Sequence, residues 1–150
     1  MESIIKVDEN FIKQFFGEAK YRLAYIAPGI SKPVADIIAA KWASLDPAEV
    51  RIILDVNSEI YRLGYGSADG SADAMQFLDK KAKELGGERL VCHQEGIRIG
   101  ILISDSRVCF FAPTALLIES GTEQKTRPNG IIIEPVPPSV IKEIGLGEKK

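Results

Sequence analysis

Gly96-Ile-Arg-Ile-Gly-Ile-Leu-Ile-Ser-Asp105 runs straight into Ser106-Arg-Val-Cys-Phe-Phe-Ala-Pro-Thr-Ala-Leu116. Ile97, Ile99, Ile101 and Ile103 recur at every second position, the period of a strand with one apolar face. Arg98, Gly100, Leu102 and Ser104 then share the other face. Asp105-Ser106 reads as a turn and residues 107–112 as the returning strand. A guanidinium at position 98, beside a glycine that leaves space, has the geometry to hold an anion with two hydrogen bonds. Pairing with a nearby carboxylate, or reaching solvent, is the simpler fate of that side chain.

Upstream of this hairpin, helix and strand patterns alternate. Asn10 stands where a cap would open a helix over 11–20, with Phe11, Phe15 and Ala19 on one face. A strand over 21–27 stops at Pro28-Gly29. Ser31 and Pro33 signal a second helix reaching about residue 44, striped by Val34, Ile37, Ile38, Lys41 and Trp42. Asp46-Pro47 breaks it. Residues 50–56 are nearly all apolar, the pattern of a parallel strand covered on both faces. A third helix spans 71–85, with Ala74, Phe77, Leu78, Ala82 and Leu85 inward, and Gly86-Gly87 stop it. Strands at 89–93 and 131–133, an exposed loop at 120–130 and a short helix opened by Pro137-Pro138 complete the pattern. The alternation predicts an α/β fold with a mixed, partly parallel sheet flanked by helices.

The 150 residues suit a single domain over 1–150, its core at about 9–135. Apolar residues make up 45% and charged residues 27%, which excludes collagen-like, low-complexity and intrinsically disordered classes. Nineteen basic and twenty-one acidic side chains leave a net charge of −2, which argues against a dedicated DNA-coating protein. No run approaches the ~20 apolar residues of a membrane span. Met1-Glu-Ser-Ile-Ile-Lys-Val-Asp8 lacks a signal peptide's basic and apolar regions. A cytoplasmic location is the expectation.

Catalytic residue types are scarce. Cys92 and Cys109 are too far apart for a metal knuckle or a redox pair, and each lies in an apolar run, where a reduced thiol acts as a small hydrophobe. Two thiols and one histidine cannot complete a structural zinc site, so no metal and no cofactor is expected. His93 is the only histidine, and any serine or cysteine triad would have to use it as base. A structural role at a strand end is the simpler reading. Gly64-Tyr-Gly-Ser-Ala-Asp-Gly70 precedes a helix, but its spacing is one residue too long for the dinucleotide fingerprint, and no Gly-Lys-Ser/Thr is present. A turn with positive φ accounts for those glycines. Asp55, Asp69, Asp73 and Asp105 are scattered and define no acid–base pair.

The layout over roughly residues 9–118 resembles one half of a phospholipase D-like domain. That family carries His-x-Lys-x-x-x-x-Asp on a strand-turn-strand and Gly-Ser-x-Asn at the end of the second strand. Aligned on the aspartate, this chain has Arg98, Gly100 and Asp105, with Ala112-Pro113-Thr114-Ala115 at the second motif. The resemblance implies two halves packed about a two-fold axis, hence a homodimer for a single-motif chain. Arg98 cannot replace the family's nucleophilic histidine, because a guanidinium has no free lone pair at neutral pH. Gly100 removes the lysine, and Pro113 and Ala115 remove the phosphate-holding serine and asparagine. A catalytically inactive binding or regulatory module is therefore the first expectation. Its vestigial cleft would be lined by Arg98, Gly100 and Asp105, with His93, Tyr61, Arg62 and Tyr65 as neighbours, and would suit an anionic small molecule or nucleotide. One alternative is a phosphodiesterase or nuclease with a rebuilt site using His93, Asp55 or Asp105. The other is a nucleic-acid-binding module in which Arg51, Arg62, Arg89, Arg98 and Arg107 cluster.

Overall fold

A computed structural model describes residues 2–7, 9–27, 30, 32–42, 44–45, 49–54, 68–84, 91–93, 99–111 and 130–144. Their strands are β1 (Glu2–Ile5), β2 (Leu23–Ala27), β3 (Val50–Leu54), β4 (Val91–His93), β5 (Gly100–Ser104), β6 (Arg107–Phe111) and β7 (Gly130–Ile133). The helices are α1 (Glu9–Gly17), α2 (Lys32–Trp42), α3 (Ala68–Glu84) and α4 (Pro138–Ile144). One open seven-stranded sheet has the order β1-β7-β6-β5-β2-β3-β4. β2, β3 and β4 are parallel, and every other pairing is antiparallel, so the fold is α/β with a mixed sheet.

The larger core lies on one face. Leu23, Tyr25, Val50, Ile52, Leu54, Leu102, Cys109 and Phe111 project from the sheet into Ile12, Phe15 and Phe16 of α1, Val34, Ile38 and Trp42 of α2, and Leu78 and Ala82 of α3. Burying such side chains is worth about 1.5–3 kcal/mol each, which is why three helices line up on this face. On the other face, Ala24, Ile26, Ile103 and Val108 meet Val140 and Ile141 of the short α4. Ile101 and Ile103 share this second face while Leu102 joins the first, as the alternation of the hairpin requires.

Several local expectations need correction. Asn10 is not a cap, since α1 already begins at Glu9, and it ends at Gly17. The apolar stripe of α1 is Ile12, Phe15 and Phe16, with Phe11 stacked on Phe15 at 5.2 Å between ring centres. β3 is not covered equally on both faces: Val50, Ile52 and Leu54 are buried, but Arg51 and Ile53 only half so. The helix layer lies on one side of it, and the described cover on the other is thin. β1 was not anticipated at all, because four residues of mixed character carry no readable period.

The pairings also sort the strand ends. Ala27, Leu54 and His93 end the parallel strands on one edge, where Gly100 opens β5, Phe111 closes β6 and Gly130 opens β7. We call this the carboxyl edge. The amino edge opposite holds the starts of β2, β3 and β4, together with the Asp105-Ser106 turn.

Candidate functional site

In open α/β sheets, ligands settle beyond the carboxyl ends of the parallel strands. His93 occupies such an end, opposite Leu54 in the register. Gly100 lies on the same edge, but β2 and β3 separate its strand from β4. Three strand spacings of ~4.8 Å put the two backbones about 14 Å apart. Asp105 is on the amino edge, five residues along from Gly100, or about 17 Å at ~3.3 Å per residue. His93, Gly100 and Asp105 therefore do not line one cleft. Arg98, Tyr61, Arg62 and Tyr65 lie outside the described residues.

The space expected beside Gly100 is filled. Phe111 is its register partner, and a Cβ built at position 100 would sit 2.3 Å from two ring carbons of Phe111. Glycine stands here so that the aromatic ring can lie over the strand. The face that was to cradle an anion is apolar core.

Asp105 has a different task from the one its motif position suggested. Its φ of 57° is left-handed, a conformation aspartate tolerates better than most side chains. The carboxylate accepts hydrogen bonds from three consecutive backbone amides: Lys20 at 2.9 and 3.0 Å, Tyr21 at 2.8 Å and Arg22 at 3.1 Å. Three converging N–H groups form an anion nest, and this one is occupied by the protein's own side chain. The Asp105 amide donates in return to the Arg22 carbonyl at 3.0 Å. Next to it, the Ser106 hydroxyl donates to the Glu134 carboxylate at 2.8 Å. The turn thus ties the α1–β2 connection to the β7–α4 connection.

Around that clamp the amino edge is rich in charge. Arg107 donates to Glu18 at 2.6 Å and lies over the Phe15 ring, and Arg22 donates to Glu49 at 2.6 Å. α2 and α3 each run back from the carboxyl edge, so both deliver their last turns here, with Lys41 from α2 and Lys81 and Lys83 from α3. Lys80 and Lys83 are exposed. Cations at helix C-termini offset the helix dipole whatever else they do. The Lys80-Lys81-x-Lys83 run stands in the sequence itself, between inward-facing residues of the same helix. The arginine cluster that the sequence suggested does not form among the described residues. By strand alternation Arg51 shares a face with Ile53, whereas Arg107 shares one with Cys109, so they point to opposite sides of the sheet. Arg62, Arg89 and Arg98 lie outside the described residues.

Chemistry at the described residues is limited. No group of three or more His, Cys, Asp or Glu residues could hold a metal ion among them. Cys109 is fully buried, and desolvation pushes its thiol up to about 12, so at neutral pH it is neither nucleophile nor ligand. In a Cys92→Ser background, native protein is expected to leave Ellman's reagent unreacted at pH 8 and to react fully once unfolded. The pH dependence has a definite sign. Below the ordinary thiol value of about 8.5 both states keep the proton. From there up to about 12 only the unfolded chain ionises, so this residue's contribution falls as pH rises. Urea midpoints for Cys109→Ala should show a shallower alkaline decline than the parent; equal slopes would remove Cys109 as its cause.

No protein-family model and no curated protein matches this chain. Among solved structures it is similar to TrmBL2, described as an archaeal chromatin protein that shows a novel mode of DNA binding. The match has a TM-score of 0.50 and 20% sequence identity, and covers 90% of this chain. This chain spans 45% of that protein's length. No described helix is long and apolar enough to cross a membrane.

Proposed function

We propose that this chain is a nucleic-acid-binding module whose amino edge rests on the phosphate backbone of DNA. The observation that carries the reading is the fold likeness, over nearly the whole chain, to a chromatin protein with a DNA-binding mode. It corrects the first expectation, of an inactive phospholipase D-like module with a vestigial anion cleft. The filled space at Gly100 and the separation of His93, Gly100 and Asp105 weigh the same way.

Phosphate contacts position a protein without reading sequence, and lysines supply them as point charges. Lys41, Lys80, Lys81 and Lys83 are the side chains assigned to that task, Lys81 with Glu84 at 4.0 Å, while Arg22 and Arg107 are held more closely by Glu49 and Glu18. With a net charge of −2 the chain has little long-range attraction for DNA, so binding is local, weak in sequence preference and steep in salt.

Fluorescence anisotropy with labelled single- and double-stranded DNA tests it. Affinity is expected to fall about tenfold or more between ~50 and ~200 mM salt, with a log–log slope near −0.9 per phosphate neutralised. Lys80→Ala/Lys81→Ala/Lys83→Ala should flatten that slope by about 2–3 while leaving the fold intact. Absence of binding, or binding indifferent to salt, overturns the proposal.

A further inference from the structure

We propose that Tyr21 is a stacking platform for an unpaired base, so that the amino edge prefers single-stranded nucleic acid to duplex. The inference rests on the nucleic-acid reading above and names the form of the ligand. Tyr21 is 51% exposed, and of the large apolar residues exposed among those described it alone is aromatic. Its position is fixed from two sides. The Tyr21 amide donates to the Asp105 carboxylate at 2.8 Å, between the amides of Lys20 and Arg22 that do the same. The Arg22 guanidinium lies 5.8 Å from the Tyr21 ring centre while its Nε donates to Glu49 at 2.6 Å. A cation anchored by its own carboxylate thus lies over the ring. A ring already ordered in this way gives up little conformational entropy when a base stacks on it.

The charges around the ring say what stacks there. Lys20, next in the chain, is exposed. The connection after α1 brings Lys20 and Tyr21 to the amino edge, where the last turns of α2 and α3 bring Lys41, Lys81 and Lys83. α1 packs on α2 and α2 on α3, so the three helix ends stand in that order along the edge. At ~8–10 Å between packed axes, the first and third ends are about 16–20 Å apart. Carboxylates on the α1 side are already engaged: Asp105 by three backbone amides, Glu18 by Arg107 and Glu49 by Arg22. The cations by themselves would hold duplex and single strand alike, through phosphates. The ring makes the distinction. Paired bases are stacked on one another and leave Tyr21 no face to meet, whereas an unpaired base of any identity offers one.

The test compares labelled oligothymidylate of about 12 nucleotides with duplex DNA of the same length, by fluorescence anisotropy at one low salt concentration. The full chain should bind the single strand about tenfold more tightly than the duplex. Tyr21→Ala and Tyr21→Leu should each abolish that preference, because neither side chain has a π-face, and Tyr21→Phe should keep it. All three variants should retain the parent's circular dichroism spectrum, since the ring is half exposed. A parent without the preference, or a Tyr21→Leu variant that retains it, would refute the stacking role. Salt-steep binding of both probes without the preference refutes the stacking role and leaves the nucleic-acid reading standing; binding of neither probe removes both.

Discussion

Gly100→Ala is expected to destabilise the fold by about 2–3 kcal/mol, although alanine is the better strand residue. With open space at this position the exchange would stabilise by about 0.4–1 kcal/mol, through a less flexible unfolded chain. Here the added methyl group meets Phe111 ring carbons at 2.3 to 2.6 Å. Phe111 is buried against the α1–α3 layer, so its ring cannot swing aside without opening the core. The clash therefore outweighs the entropy gain. Urea unfolding of Gly100→Ala, Phe111→Leu and the double variant forms a cycle that isolates the contact. Coupling of about 0.5–3 kcal/mol, with the double variant less damaged than the two singles summed, is the expected outcome. Strict additivity would mean that Phe111 is not what the glycine accommodates.

Asp105→Ala should cost about 3–4 kcal/mol. Hydrogen bonds to a charged group are worth about 1.5–3 kcal/mol each, but the amides of Lys20 and Tyr21 are exposed and regain water when the carboxylate goes. Only the half-buried Arg22 amide forfeits most of its bond. Alanine at a φ of 57° adds about 1–2 kcal/mol of backbone strain. Asp105→Asn keeps the tolerated backbone and one acceptor oxygen, so about 1–2 kcal/mol is expected. Asp105→Gly removes the strain but not the loss of the clamp, and should fall between the two. Urea midpoints at constant m-value give the order. A glycine variant as stable as the parent would show that the nest contributes nothing and that the backbone angle alone accounts for the aspartate.

How much was legible depended on how far along the chain the deciding contact lay. Ile101 and Ile103 against Leu102 is a two-residue alternation, and it identified both the strand and its faces. Val34, Ile38 and Trp42 identified α2 in the same way. Asp105 was readable as a turn former, but the amides it binds come 83 to 85 residues earlier, and no spacing rule reaches that far. Gly100 was read as room for a ligand because local sequence shows what a glycine lacks. It does not show that Phe111, eleven positions on, will occupy the gap once the hairpin register is set. The candidate cleft failed for a similar reason. His93, Gly100 and Asp105 are near neighbours in the chain, but β2 and β3 intervene between β4 and β5, and β5 carries Asp105 to the far edge.

Side-chain periodicity, a property of a few consecutive residues, was enough to establish an α/β domain with its helices and most of its strands. Strand order, the β1 edge and the placement of lysines from α2 and α3 on one side had to await the folded sheet. They arise from pairings between segments dozens of residues apart, chosen by how well whole faces bury one another.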